Sequence, residues 1–515
     1  DPKIGADHKL NLLALTETRS IDRQNSWQNG VGYQYDKGGV PFYDPNYFKF
    51  LSLRNDNYYG MGYEWERYLA YMLRGAYSFK GKFNLNTTVR YDGSNKLGIS
   101  RVARWLPTWN VSGAWNVDQE PFFYNNVKAI SQLRLRATYG LVASMGPATN
   151  SSVIYSNTNT ERPFFDDREN AIEVSSLENS ELTWEKQYET NIGTDIGFMN
   201  DRLMVTADYY KRRGFDLIGL FRTSGIDGQS SKFANYADMK SHGFELTLQY
   251  AIINNRNFRW NFRGNLAYHK SEITNLQNNP RIWDLVKEEG GALVGYPVRS
   301  LFSIKFEGLG TDGLPLFVNE SGKEGQTAVN MQSTKLDNLV YSGSIDPKLT
   351  GGAYTSIKWK DIQLGALVTF NYGNVVRLAP AFMTRYSDLD ASNNALLARW
   401  ILYGDENLTD APVVIGKTGA SGIIGYPFNN YNYSNVRVAK GDFIRLKQVT
   451  LTYNLPKKVI QKVWANNASL SLVTNNLWLI YSDSKLQGQD PEFFESGGVA
   501  LPIQRQLTFS LKIGF

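Results

Sequence analysis

The sequence predicts an all-β fold, an antiparallel up-and-down β-barrel that spans a membrane. Three observations predict it. The first is strict period-2 alternation, clearest in Leu507-Thr-Phe-Ser-Leu-Lys-Ile-Gly-Phe515. There Leu507, Phe509, Leu511, Ile513 and Phe515 share one face, and Thr508, Ser510, Lys512 and Gly514 share the other. The second is that the connections between such strands alternate short and long, as turns and loops do at the two ends of a membrane barrel. The third is composition. Aromatic residues reach 14%, with 31 Tyr, 27 Phe and 12 Trp, although the mean hydropathy of −0.39 is that of a soluble protein. No apolar run approaches the roughly 18 residues of a membrane helix, whereas a barrel strand needs only one apolar face.

The elements follow in order. Residues 9–16 read as a short strand with Leu10, Leu12 and Ala14 on one face, and 17–66 as a long polar, aromatic loop. A hairpin follows, with Leu69, Tyr71, Leu73 and Tyr77 on one arm and Phe83, Leu85, Val89 and Tyr91 on the other. Its two-residue turn, Lys80-Gly81, suits the twist of paired strands. Next come Trp109, Val111, Gly113 and Trp115, then Leu133, Leu135, Ala137 and Tyr139 opposed by Arg134, Arg136 and Thr138. A loop over 141–188 leads to Ile192, Ile196 and Phe198, and the turn Met199-Asn-Asp-Arg202 to Leu203, Val205, Ala207 and Tyr209. Phe244, Leu246 and Leu248 lead through Asn254-Asn-Arg256 to Trp260, Phe262 and Leu266. Long insertions cover 271–350 and 374–441, and between them 351–359 and 361–373 turn at Lys360-Asp361. The last strands lie near 442–454, 467–476 and 505–515, making fourteen. In 442–454 the apolar parity slips from even (Ile444, Leu446) to odd (Val449, Leu451, Tyr453), which predicts a β-bulge near Lys447-Gln448.

Enzyme chemistry finds little support. With no cysteine there is no thiol nucleophile, disulfide or Cys-based metal site. His8, His242 and His269 lack metal-ligand spacing. Gly308-Leu-Gly-Thr-Asp-Gly313 matches a dinucleotide fingerprint, but extended Leu314-Pro-Leu-Phe317 follows where a helix must open, so a glycine turn is expected. Gly416-Lys-Thr418 lacks the earlier glycine of a phosphate loop, and no nucleophile elbow exists. The net charge of +6 is scattered, without a basic run that would mark nucleic acid as a partner. No catalytic, cofactor or metal residue is therefore assigned. The loop aromatics suit a sugar-stacking platform, but for any one of them a place in the membrane girdle or in loop packing is the favoured reading.

Several stretches resemble a known family. Phe443-Ile-Arg-Leu-Lys-Gln-Val-Thr-Leu-Thr-Tyr-Asn-Leu-Pro456 is similar to the segment FLRLKNVTLGYTLP of SusC/RagA-family TonB-linked outer-membrane proteins. In the right order so are Leu182-Thr-Trp-Glu185, Asn191-Ile-Gly-Thr-Asp195, Asp208-Tyr-Tyr-Lys211 and Arg90-Tyr-Asp-Gly-Ser-Asn-Lys96. Gly295-Tyr-Pro-Val298, Asp346-Pro-Lys-Leu-Thr-Gly-Gly352, Asn475-Asn-Leu-Trp478 and Asp490-Pro-Glu492 also fit. The resemblance runs from about residue 68 onward. It implies a TonB-dependent importer of oligosaccharides or peptides in the outer membrane of Bacteroidota, lidded by a SusD-like lipoprotein, with a dimeric transporter–lipoprotein complex as one arrangement. The family barrel has about 22 strands and a plugged lumen. Residues 1–515 are then expected to be its C-terminal portion, with the plug, the TonB-contacting segment and the early strands outside this sequence. Leu507, Phe509, Leu511, Ile513 and Phe515 are expected to form the C-terminal signal for barrel assembly.

A passive porin closed by these strands alone and a secreted β-rich adhesin or carbohydrate-binding protein stand beside that reading. The importer reading makes three expectations. Leu246, Leu248, Trp260, Phe262, Leu364, Val368, Phe509 and Leu511 face lipid, with Glu245, Gln249, Arg263, Gln363, Ser510 and Lys512 facing the lumen. The loops 17–66, 141–188, 271–350 and 374–441 gather at one end to meet the lipoprotein. Residues 9–16 and 505–515 do not pair with one another.

Overall fold

The computed structural model describes residues 5, 7–29, 33–34, 38–41, 44–53, 59–98, 100–146, 153–161, 168–177, 179–225, 230–326, 329–382, 394–414, 425–456, 460, 465–492 and 504–514. Fourteen strands form one sheet: β1 His8–Gln28, β2 Tyr59–Phe79, β3 Phe83–Ser94, β4 Trp105–Asn116, β5 Ile130–Ser144, β6 Glu185–Phe198, β7 Leu203–Arg222, β8 Ser231–Asn254, β9 Phe258–Leu276, β10 Leu349–Trp359, β11 Ile362–Tyr372, β12 Phe443–Asn454, β13 Asn467–Ser482 and β14 Gln506–Gly514. Each pairs antiparallel with its neighbours in this order, so the sheet is a plain meander. Strand number and order match the expectation. Among the described residues no ladder joins β1 to β14; each has one partner, β2 and β13.

One face of the meander is predominantly apolar. Ile192, Tyr209, Phe244, Tyr268, Leu349 and Tyr372 stand opposite one another across β6 to β11. On the other face Asp195, Thr206, Thr247, Asn265, Gly352, Thr369 and Arg445 form the matching row. Of the residues expected to meet lipid, Phe509 is 69% exposed, Leu364 and Leu511 are also exposed, and the others are half-buried. None is in a core, as residues with lipid for a solvent should be. The band's height fits a bilayer. From Ile362 to Tyr372 β11 runs 11 residues, which at about 3.4 Å per residue and a tilt of about 40° gives about 26 Å.

Two local expectations hold for clear reasons. Lys80 and Gly81 both take positive φ (53° and 71°) and Lys82 N donates to Phe79 O (2.9 Å) across them, the turn expected, with Lys82 as a third connecting residue because Phe79 pairs with Phe83. The register of β11 against β12 shifts between Leu367 and Val368, with Gln448 and Leu446 as their partners, so Lys447 is the extra residue. That bulge lets both Leu446 and Val449 stay on the lipid side.

The strand lengths correct the sequence reading. Residues 17–66 are not one loop: β1 continues to Gln28 and β2 begins at Tyr59, making 21 residues each. β8 reaches 24 residues, where about 9–11 suffice to cross a membrane. The extensions project beyond the bilayer into water on both faces. Nothing there selects an alternating pattern, which is why Glu17–Gln28 reads as loop. Two other long connections also shrink, to 145–184 and 277–348, while the last, 373–442, is one residue longer at each end than expected; each contains small sheets or short helices.

Because the sheet is a meander, successive connections fall at alternate ends. The connections 80–82, 117–129, 199–202, 255–257, 360–361 and 455–466 share one end. All the long loops share the other. Two of these loops, 277–348 and 373–442, fold together around Ile282, Val286, Ile304, Phe317, Ala381, Phe382, Leu396 and Tyr431. The suspected dinucleotide fingerprint lies in this assembly as a hairpin: Gly313 N donates to Gly310 O (2.8 Å) between strands Phe306–Leu309 and Pro315–Val318.

Candidate functional site

The polar face and the loop assembly above it make up the candidate site. Period-2 alternation places acids and bases of neighbouring strands side by side, and they pair. Arg136 on β5 bonds Asp195 of β6 (Nε–Oδ2 3.0 Å) and Asp208 of β7 (Nη2–Oδ2 3.0 Å), and Thr206 Oγ1 donates to Asp195. Arg212 bonds Glu189 at 3.1 Å. Arg90 holds Asp92 (2.6 Å) and Glu17 (2.8 Å) and donates to Tyr68 Oη. Such mixed-sign networks suit a wet lumen; a lipid-facing surface does not carry them.

Several of the stretches that carry the family resemblance are seams between loops and strands, while Asn191–Asp195, Asp208–Lys211 and Asn475–Trp478 lie within strands. Leu182 and Trp184 are buried with Leu97 and Ile218. Trp184 Nε1 donates to Arg104 O (3.1 Å), Thr183 N to Asn235 Oδ1 (2.9 Å), and Ile218 N to Glu185 Oε1 (2.9 Å). Lys96 bonds Glu64 (3.0 Å) and Glu66 (3.2 Å) on β2. Asp346 holds Arg299 at 2.8 Å. The Phe443–Pro456 and Asp490–Glu492 stretches meet each other. Arg445 on the polar face of β12 forms an ion pair with Asp490, both side chains 4% exposed, and Lys447 reaches Glu492 at 3.2 Å. Lys447, two residues from Arg445, shares its polar face by strand alternation, and these two ion pairs hold the loop after β13 against that face.

A further tie anchors the loop assembly to the sheet. Asp284, in the short helix Ile282–Val286, pairs with Arg222 at the end of β7 and with Arg281 (3.2 Å). Burial alone would raise the Asp284 carboxyl, but hydrogen bonds from Arg281 and the Arg222 cation hold it below the usual carboxylate range. Deeper in the assembly, Arg377 donates to Ser434 O (2.9 Å) and Phe302 O (2.8 Å). Burial pushes its guanidinium down to about 10.

The proposed assembly residues Leu507, Phe509, Leu511 and Ile513 all lie exposed on the apolar face of β14. Phe515 lies outside the described residues. The Arg136–Asp195–Asp208 cluster was accessible in principle from strand parity. The Arg222–Asp284 tie and the buried Arg377 had no sequence signal, since their partners are 62 and 75 residues away. Among the described residues no group of three His, Asp or Glu could hold a metal.

A sheet with one apolar face about a bilayer tall, a polar ion-paired face and all its long loops at one end defines an outer-membrane β-barrel protein. Residues 4–477 match the model of the family described as "TonB dependent receptor-like, beta-barrel", and the chain belongs to that family, one of transport receptors and not of enzymes. TonB-dependent receptor P26 of Formosa agariphila is 24% identical over 548 residues, covering 100% of this chain and 52% of that protein. TonB-dependent receptor SusC of Bacteroides thetaiotaomicron is 23% identical over 469 residues, covering 86% of this chain and 43% of that protein. The solved structure of the RagAB peptide transporter superposes with a TM-score of 0.74 at 22% identity, over 99% of this chain and 54% of that one; this likeness is one of fold. The chain spans about half the length of the curated relatives it matches.

Proposed function

We propose that this chain forms part of an outer-membrane transporter that imports nutrient oligomers, glycans or peptides. TonB drives it through a region outside these 515 residues, and a SusD-like surface lipoprotein lids its mouth. The observation that carries the partner is an apolar patch on the loop assembly. Leu397, Ile401, Leu402, Tyr403 and Leu408 are all exposed, with Tyr403 at 81% and Leu408 at 83%. These residues belong to a long loop at the end away from the short turns, so lipid does not explain them. Contiguous exposed apolar surface of this kind marks a protein interface. The similarity to RagAB, a peptide transporter, and to SusC supports the transport reading.

The open sheet fits the same picture. Unpaired N–H and C=O groups in hydrocarbon cost several kcal/mol each, so β1 and β14 both need partners in the membrane. The half-length match to the relatives supports strands supplied by residues outside this sequence over a β1–β14 ladder. In the full-length protein, Leu12→Cys combined with Phe509→Cys should therefore give no cross-link; a disulfide between them would favour the smaller, porin-like closure. For the partner, Leu402→Lys with Tyr403→Lys should abolish co-purification of the lipoprotein while the barrel keeps its heat-modifiable migration. Undiminished co-purification would remove this patch from the interface.

A further inference from the structure

Above β11 and β12 the strands Val375–Arg377 and Val438–Lys440 pair. The loop after β13 packs on them through Leu486, which is buried with Val376 and Ala439. A cavity of about 170 Å³ opens at this junction. Its floor includes Arg437, 5% exposed, and its rim Lys485 and Gln487, both exposed, with Gln489 half-buried between. Ala379 and Leu486 supply apolar wall.

The charges here do not balance. Arg437 Nη2 donates to Ala379 O (2.5 Å), and its guanidinium lies over the Tyr431 ring at 5.9 Å. Its Nε has no acceptor among the described residues, and neither has that of Arg377 just behind it. Neither arginine forms an ion pair among the described residues; Glu288 acts on Arg377 only at longer range. Asp483, the nearby carboxylate, is taken up by the backbone N–H groups of Lys440 (2.8 Å) and Lys485 (2.9 Å). The described lining contains no Asp or Glu, while Lys485 Nζ leans to within 3.5 Å of Val438 O. Burying guanidinium charge without an anion is costly, so this arrangement calls for one. Gln489 Oε1 is buried without a donor among the described residues, so an occupant with a hydroxyl or amide N–H would satisfy it. The volume holds one monomer unit and falls short of the roughly 300 Å³ at which whole-ligand pockets begin.

We propose that this cavity binds one carboxylate-bearing unit of the imported oligomer, with Arg437 and Lys485 taking the carboxylate and Gln489 accepting from a neighbouring hydroxyl or amide N–H. The inference rests on the transporter reading and names a substrate chemistry for it. Two sources supply such a unit, a sugar acid and an acidic amino acid.

The test is calorimetry on the full-length protein in detergent micelles with D-glucuronate and N-acetyl-L-glutamate, against D-glucose and N-acetyl-L-glutamine. At least one acid should bind about tenfold or more tightly than its neutral analogue, and which one does so identifies the source. Lys485→Gln, on an exposed rim residue, should weaken that acid about tenfold and leave the neutral compounds unchanged. Arg437→Lys should weaken it further, with heat-modifiable migration confirming the fold. Equal binding of acids and neutral analogues, or an unchanged affinity in Lys485→Gln, overturns the site. Acid binding in a protein whose deletion leaves oligomer uptake intact would instead sink the transporter reading and leave the site standing.

Discussion

The membrane-level sheet and the loop assembly solve the burial problem in opposite ways. In the sheet, large apolar side chains such as Leu364, Tyr372 and Phe509 point away from the protein and are exposed. In the assembly built from 277–348 and 373–442, Ile304 and Phe317 are buried to 1% exposure or less. The difference is one of solvent. Lipid accepts apolar surface but satisfies no backbone polar group, so the sheet must bond every neighbour and can leave its side chains outward. Water penalises apolar surface, so the assembly collects it into a core. One chain therefore needs two sets of rules, divided at the level of Tyr268, Leu349 and Tyr372.

Removing bulk from the assembly should have the largest effect. Phe317→Ala should cost about 3–5 kcal/mol of local stability, as buried Phe truncations do. External protease should then cut the loops while the barrel keeps its heat-modifiable migration. If the barrel is lost as well, the two regions do not fold independently and the contrast fails.

Next in size is a charge on the lipid face. Leu248 stands opposite Gly264, midway along the span from Phe258 to Tyr268. Leu248→Arg should cost about 2–4 kcal/mol, the penalty near the bilayer midplane, read as reduced folded fraction in a urea titration in lipid vesicles. Insensitivity to this change would place that face outside lipid. Leu248→Phe, equally apolar, should lie close to zero in the same titration.

The tie between the two regions should matter less. Asp284 and Arg222 are partly solvated, so Asp284→Asn should loosen the assembly by about 1 kcal/mol or less, seen as faster amide exchange in 282–286. Because the Asp284 carboxyl lies below its ordinary value, its contribution is complete above the unfolded value of about 3.9. It is lost as pH falls through the lower folded value. Acidification from pH 7 to 5 should therefore leave the protection of these amides unchanged once the intrinsic slowing of exchange at lower pH is divided out, and a change in protection over that range would point to another group.

The membrane part of the fold was legible to single residues. The parity slip at Lys447-Gln448 located the bulge, and Lys80-Gly81 located a turn, because both features act within a few residues. The candidate site was legible only in part. Strand parity put Arg136 and Asp195 on one face, but Leu182-Thr-Trp-Glu185 and Asp490-Pro-Glu492 gave no sign that they seal loops to strands. The polar strand extensions, such as Asp22-Arg-Gln-Asn25, were hidden because water on both sides imposes no alternation.

By itself the sequence determined the number of strands, their order and which face meets lipid. Those follow from a period of two imposed by two different solvents, a local rule written into every strand. Only the tertiary structure decided how far the strands rise above the membrane and how two loops share one core. It alone decided which charges end up buried without an ion pair among the described residues, as at Arg437. Those outcomes depend on contacts such as Arg377 with Phe302, 75 residues apart. Such contacts form when loop segments collapse on one another, and no short-range pattern records them.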